Sequence, residues 1–174
     1  MNEKPWTIRR TTVLSDNEIA GLTDVLIDCV NGGASVSFMH PLSREHATNF
    51  WQDVARGVAS GERALIIAED ELGICGTVQL VLSQPENQPH RADLSKMLVH
   101  RRARRQGLGE ALMSLAESVA RDCGKTLLVL DTASDVAERL YERLGWFRVG
   151  AIPDYALLPN GEPCTTTFFY RKLA

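Results

Sequence analysis

Arg101, Arg102, Arg104, Arg105, Gly107 and Gly109 crowd into one short stretch of the chain. Before them runs an apolar segment, Leu94 to Val99, with Lys96 inside it. After them the apolar residues Leu108, Ala111, Leu112, Leu115, Ala116, Val119 and Ala120 recur at close to 3.6-residue spacing. The first segment reads as a buried strand and the second as a helix that begins at the glycines. Basic residues at a helix N-terminus stand at its positive end, which costs about 0.3–1 kcal/mol each at exposed sites. A bound anion reverses that penalty. Free N–H groups, glycines that let a ligand reach the backbone and nearby guanidinium groups together make a phosphate or pyrophosphate site. The alternative is a solvated basic turn.

The pattern is not a Walker loop, because no Lys-Ser/Thr pair follows the glycines. It is a poor dinucleotide fingerprint: Leu112 stands where a third glycine belongs, and Asp131 is a weak counterpart of the acidic residue such a fold requires. Arg104-x-x-Gly107-x-Gly109 after a strand resembles the Arg/Gln-x-x-Gly-x-Gly/Ala acetyl-CoA loop of the GNAT N-acetyltransferase superfamily. A second segment agrees: Ser134, Ala137, Tyr141, Gly145 and Trp146 match the superfamily's later Asn-x-x-Ala-x-x-x-Tyr-x-x-x-Gly-Phe pattern. The stretches 31–39, 91–99, 130–132 and 148–150 are similar to the tabtoxin-resistance type within that superfamily, a likeness that covers nearly the whole chain.

The resemblance implies a single 1–174 domain with a mixed α/β fold: a central, mostly antiparallel, twisted sheet of about seven strands flanked by four helices and splayed at the acetyl-CoA site. It implies an acetyl-CoA-dependent N-acetyltransferase acting on a small-molecule amine such as an amino acid, antibiotic or toxin. Acetylation of a protein or peptide amine is the alternative within enzymes, and a non-catalytic CoA-binding regulatory module is the alternative outside them. A dinucleotide-binding domain is a weaker fourth reading.

Acetyl transfer to an amine needs a deprotonated amine, stabilisation of a developing oxyanion and a proton for the leaving thiolate. An alkyl ammonium has a pKa of about 10.4, so near neutral pH it must lose a proton first. Asp93 and Asp131 match acidic positions of the tabtoxin-resistance type and are the candidate bases and substrate carboxylates. An exposed strand carboxylate and a local strand cap are their respective alternatives. Tyr141 stands at the position of the superfamily's usual general acid; a core tyrosine is the other reading. By the same resemblance, a backbone N–H of Leu98 or Val99 holds the thioester oxygen. The cofactor loop comprises Arg104, Arg105, Gln106, Gly107, Leu108, Gly109 and Glu110, with Ser134 and Tyr141 contributing from the later motif. Ser35, Phe38 and Met39, in the loop from Ala34 to Pro41, line the substrate pocket, or else that loop folds down as part of the core. Two departures stand out: His100 where the superfamily often has Pro, and Ser134 in place of Asn.

These residues need a scaffold, and the sequence supplies one. Ser15 and Glu18 form a capping box ahead of a helical stripe that ends at Gly32-Gly33. Ser43 caps a second helix, which Gly61 stops. Strands are expected at 6–10, 64–68, 74–82, 91–99, 126–131, 146–152 and 165–173, with a turn-rich loop from Pro153 to Pro163. The acidic turn Glu69 to Glu71 is expected mainly to join a hairpin, with some attraction for cationic substrates as a lesser role.

A formal charge of −3 over 174 residues argues against general nucleic-acid binding, and no apolar run approaches the roughly 20 residues of a membrane span. The four cysteines and four histidines are scattered without ligand spacing, so no metal is expected and a reduced cytoplasmic protein is the simplest reading. Apolar residues near Phe168 to Tyr170 leave room for a homodimer.

Overall fold

The computed structural model describes residues 4–173. Its backbone is one seven-stranded sheet in the order β1-β2-β3-β4-β5-β7-β6. The strands are β1 (Thr7–Thr11), β2 (Arg63–Asp70), β3 (Gly73–Val81), β4 (Arg91–Val99), β5 (Leu127–Thr132), β6 (Phe147–Leu157) and β7 (Pro163–Lys172). Four α-helices accompany them: α1 (Asp16–Asn31), α2 (Arg44–Ala59), α3 (Leu108–Asp122) and α4 (Asp135–Arg143). All neighbouring strands are antiparallel except β4 and β5. The mixed α/β architecture expected from the sequence is the one observed.

Period-2 alternation gives the sheet two apolar faces. Leu65, Ile67 and Leu98 face α1 and α2, packing with Leu22, Leu26 and Trp51. Ala64, Ile66, Ala92, Leu94, Leu128 and Leu130 face α3 and α4, packing with Leu108, Leu112, Tyr141 and Trp146. The helix starts follow from their caps. Ser15 Oγ accepts from the Glu18 N–H at 3.3 Å while the Glu18 carboxylate accepts from the Ser15 N–H at 2.7 Å. Ser43 Oγ accepts from the His46 N–H at 3.1 Å.

Two expectations need correction. β6 does not stop at Ile152 but continues through Pro153 to Leu157, where a loop was expected. Its partner β7 overrides the proline, which an edge strand tolerates because the position without an N–H can face away from the ladder. The register slips between Ile152 and Ala156, and Asp154 takes φ +53°. Secondly, the expected apolar surface at Phe168–Tyr170 lies instead on β6. Phe169 is a core residue, and Phe168 and Tyr170 are half-covered by exposed Tyr155 and Phe147, at ring separations of 5.4 and 5.3 Å. The acidic turn joins β2 to β3 in a hairpin, as expected, and its carboxylates also pair within the chain: Asp70 with Arg102 at 2.9 Å and Glu69 with Arg9 at 3.2 Å.

Candidate active site

β4 and β5 are the parallel pair, and they stay together for only three positions, Arg91–Leu127, Ala92–Leu128 and Asp93–Val129. Beyond Asp93 they splay. From Leu94 onward, the β5-facing backbone of β4 has no strand partner, so its N–H and C=O groups are open to a ligand. Leu98 and Val99, the two residues expected to offer an N–H there, pair with Thr77 and Gly76 on the other side. The Val99 carbonyl is engaged, accepting from Arg104 Nε at 3.1 Å and from the Cys29 thiol at 3.7 Å.

A bulge aims the side chains of β4. Gln79 pairs with Ser95 but Thr77 with Leu98, so β4 carries one extra residue, and Lys96 adopts φ +52°. The alternation inverts there. Ala92 and Leu94 face α3 before the bulge, Met97 and Val99 face it after, and Leu98 turns to the α1–α2 side.

At the mouth of β5, Asp131 is exposed to solvent, with protein close enough on one side to desolvate its carboxyl in part. Burial pushes its carboxyl upward and so does the negative charge of Asp93, while Lys96 draws it down; the net is a raised pKa. Asp93 is differently placed. Its carboxylate pairs with Arg91 and accepts from Gln84 Nε2 at 3.1 Å, so its oxygens are already occupied. Tyr141 approaches from α4. Its ring is buried among Trp146 and Phe169, with centroids 6.1 and 5.7 Å away. Burial, then the charge of Asp131, raises its phenol above the usual range. The hydroxyl makes no hydrogen bond among the described residues, yet it is not one of the sealed polar atoms that lack a partner. The residue is 4 % exposed, so its hydroxyl is at most slightly exposed to solvent.

The arginine-glycine turn is only partly what the sequence suggested. The four guanidinium groups do not act as one anion patch. Arg101 is held by Asp28, which accepts its N–H at 2.9 Å and its Nε at 2.8 Å, and Arg102 is held by Asp70. Burial alone would raise the Asp28 carboxyl, but the Arg101 N–H and guanidinium, helped by His100, leave it below the usual carboxylate range. Arg104 is bonded to Val99. Arg105, exposed and at φ +59°, is the one of the four without a side-chain partner among the described residues. Gly107, at φ +76°, is the N-cap of α3 and no side chain caps the helix, so its first N–H groups have no side-chain acceptor. What could receive an anion here is the uncapped first turn of α3, backbone more than guanidinium groups. A groove of about 550 Å³ runs from Gly107 along Ala111, Ser114 and Ser118 of α3 to Lys4 and Ile8 beside β1, away from the splay.

The remaining expected residues divide. Gln106 donates to the Arg102 carbonyl at 3.2 Å, Glu110 is exposed in the first turn of α3, and the Leu108 side chain is core, leaving only its N–H for a ligand. Gly109 is tight: a Cβ there would sit 3.1 Å from Leu140 Cδ2, so a side chain would strike α4 before any ligand. Ser134 spends its hydroxyl capping α4, accepting from the Ala137 N–H at 3.3 Å. His100, in the position where Pro was expected, caps the short 3₁₀ turn Arg101–Ala103, its Nδ1 accepting from the Arg102 N–H at 3.2 Å. In the α1–α2 loop, Ser35 Oγ donates to the Leu157 carbonyl at 3.2 Å and the His40 N–H to Pro159 O at 3.0 Å. Phe38 is buried in the α1–α2 core, so the loop folds down as a core flap there, and Met39 is exposed.

One functional candidate escaped the sequence. Lys96 was visible as a cation inside an apolar strand, but alternation alone would have placed it on the α3 face with Ala92 and Leu94. Only the bulge moves it.

The model of the acetyltransferase (GNAT) family matches residues 32–146. The chain belongs to that family. The match runs from the α1–α2 loop to the end of α4 and so includes the splay, the arginine-glycine turn and Tyr141. Solved GNAT-like folds superpose over almost the whole chain. One is yncA of Salmonella typhimurium with its cofactor acetyl-CoA, at a TM-score of 0.79 and 20% identity, covering 98% of this chain and 95% of that one. A phosphinothricin acetyltransferase of Sinorhizobium meliloti in complex with AcCoA scores 0.79 at 18% identity, covering 98% and 89%. A ribosomal-protein-alanine N-acetyltransferase of Brucella melitensis scores 0.80 at 20% identity, covering 96% and 99%. Among the described residues, no group of three or more His, Cys, Asp or Glu could hold a metal ion.

A test of the GNAT turn follows from its geometry. Gly107 has no atom near its missing Cβ, so a substitution there costs only its left-handed backbone. Asn tolerates that conformation, whereas a β-branched residue does not. Gly107→Val is expected to weaken acetyl-CoA binding tenfold or more, from roughly 1–2 kcal/mol of strain, while Gly107→Asn stays within about threefold. Titration calorimetry decides it, and equal affinities for the two variants would remove Gly107 from the site.

Proposed function

We propose that this protein transfers an acetyl group from acetyl-CoA to the amine of a small molecule, with Asp131 as general base and Tyr141 as general acid. The observation that carries the reading is the juxtaposition at the splay. A carboxylate with a raised pKa and a phenol whose hydroxyl lacks a protein partner flank unpaired β4 backbone, next to an uncapped helix start. Acetyl-CoA supplies the thioester carbonyl and the thiolate leaving group. Asp131 takes one proton from the acceptor ammonium, the amine nitrogen forms the new N–C bond as the C–S bond breaks, the Tyr141 hydroxyl protonates the sulfur, and the second proton shed by the acylated nitrogen returns to the phenolate through solvent. The open N–H groups of β4 fit an oxyanion, and the first turn of α3 with Arg105 fits the pyrophosphate.

Of the two candidate bases, Asp131 is preferred because the oxygens of Asp93 are already held by Arg91 and Gln84. The tie between the α1–α2 loop and the 157–163 turn supports a small acceptor, since it bridges the face along which an extended peptide would have to lie. The likeness to the tabtoxin-resistance type points the same way.

Thermal shift with acetyl-CoA, CoA, NAD and ATP side by side is the first test. A ligand at 100 times its Kd adds about 2.7 kcal/mol of stability, so only the two CoA species are expected to stabilise. Thiol release against small amines and N-terminal peptides then follows. Stabilisation by NAD alone, or release with peptides only, would overturn the reading.

A further inference from the structure

Lys96 is a cation that the bulge in β4 turns to the α1–α2 side of the sheet. Its backbone is left-handed at φ +52°, and Nζ donates to Ser37 Oγ at 3.2 Å; Ser37 is itself left-handed at φ +75°. Of the four non-glycine residues with positive φ among those described, two thus bond to each other. Non-glycine residues hold such conformations only where the surroundings impose them, and such strain gathers at ligand sites. The ammonium is half-buried and lies 5.7 Å from the Phe50 ring centroid. It forms no ion pair within 4.0 Å with any described carboxylate, although it feels the attraction of Asp131 and the repulsion of Arg63. A desolvated cation without an anion in contact is costly, and a ligand anion in contact would offset that cost. An ammonium donates three hydrogen bonds, and Ser37 takes one.

We propose that Lys96, steadied by Ser37, binds a carboxylate of the acceptor, so that the substrate is a zwitterion of amino-acid type with its amine toward Asp131 and its carboxylate on Lys96. This rests on the splay being the acceptor site, as argued above. The two side chains supply opposite charges within one pocket, and a molecule bearing both complementary groups satisfies them together. Lys96 acts in binding and not in the chemistry.

The test compares L-α-amino acids with their primary α-amides, which keep the amine and lose the negative charge. The wild type is expected to favour an acid over its amide at least tenfold in kcat/KM. Lys96→Gln should abolish that preference by raising KM for the acid 10- to 100-fold, the range of a lost charge-assisted hydrogen bond, while KM for the amide moves less than threefold. Comparing variant with wild type on each acceptor cancels the difference in amine basicity. Ser37→Ala keeps the charge but frees Nζ, and should raise KM for the acid alone by a few-fold, which serves if Lys96→Gln folds poorly. Equal loss on acid and amide overturns the proposal and makes Lys96 a support for Asp131. Acetylation of simple amines but of no amino acid overturns it too, and leaves the acetyltransferase reading intact. No acetylation of any amine, with acetyl-CoA still bound, overturns both.

Discussion

Asp131→Asn is expected to lower kcat/KM by about 10²–10⁴, the usual contribution of a general base, and to remove the acidic limb of the pH–rate profile. The sign follows from the direction of its shift. Burial and Asp93 raise the carboxyl, so protonation sets in nearer to neutral pH than for a free aspartate. As pH falls through that raised value the base is lost, and kcat/KM falls with it; Asn cannot titrate. Asp93→Asn is expected to cost less than tenfold, because its carboxylate works mainly on Arg91 and Gln84. Rates measured between pH 5 and 9 with both variants settle the assignment. Equal effects, or an acidic limb that survives in Asp131→Asn, would move the base elsewhere.

Tyr141→Phe is the second large effect, with kcat lowered on the order of 10²–10³ and the Kd for acetyl-CoA unchanged within about twofold. Phenylalanine keeps the ring contacts with Trp146 and Phe169, and the lost hydroxyl leaves no hydrogen-bond partner behind. Folding stability should therefore shift little, within about 0.5 kcal/mol, which separates chemistry from packing. Because the phenol is raised above its usual range, it stays protonated throughout the working pH range, and its own deprotonation limb lies above pH of about 10. Stopped-flow measurement of thiol release gives kcat. A variant as fast as wild type would return Tyr141 to the core.

Elements set by local chemistry were legible in the sequence. Ser15 with Glu18 and Ser43 announce their helices because a cap needs only neighbours a few residues away, and β4 falls where its apolar run placed it. Features set by partners were not legible. β6 runs through Pro153 because β7 lies beside it, and Arg101 and Arg102 lose their anion-binding appearance because Asp28 and Asp70 meet them from distant positions. Asp93 and Asp131 look alike in sequence. They differ in the structure through Arg91 and Gln84, and through where the β4–β5 pairing ends. Lys96 needed the bulge, which one strand cannot reveal without its neighbour.

The interruption in β6 bears on solubility. This strand closes one edge of the sheet and exposes Phe147, Val149, Ile152, Tyr155 and Leu157. A long flat edge of that composition is a template on which further chains stack into aggregates. Pro153 offers no N–H to such a chain, and Asp154, turned at φ +53°, adds a charge and a kink. The edge is thereby cut into two shorter runs, neither a straight template for a newcomer.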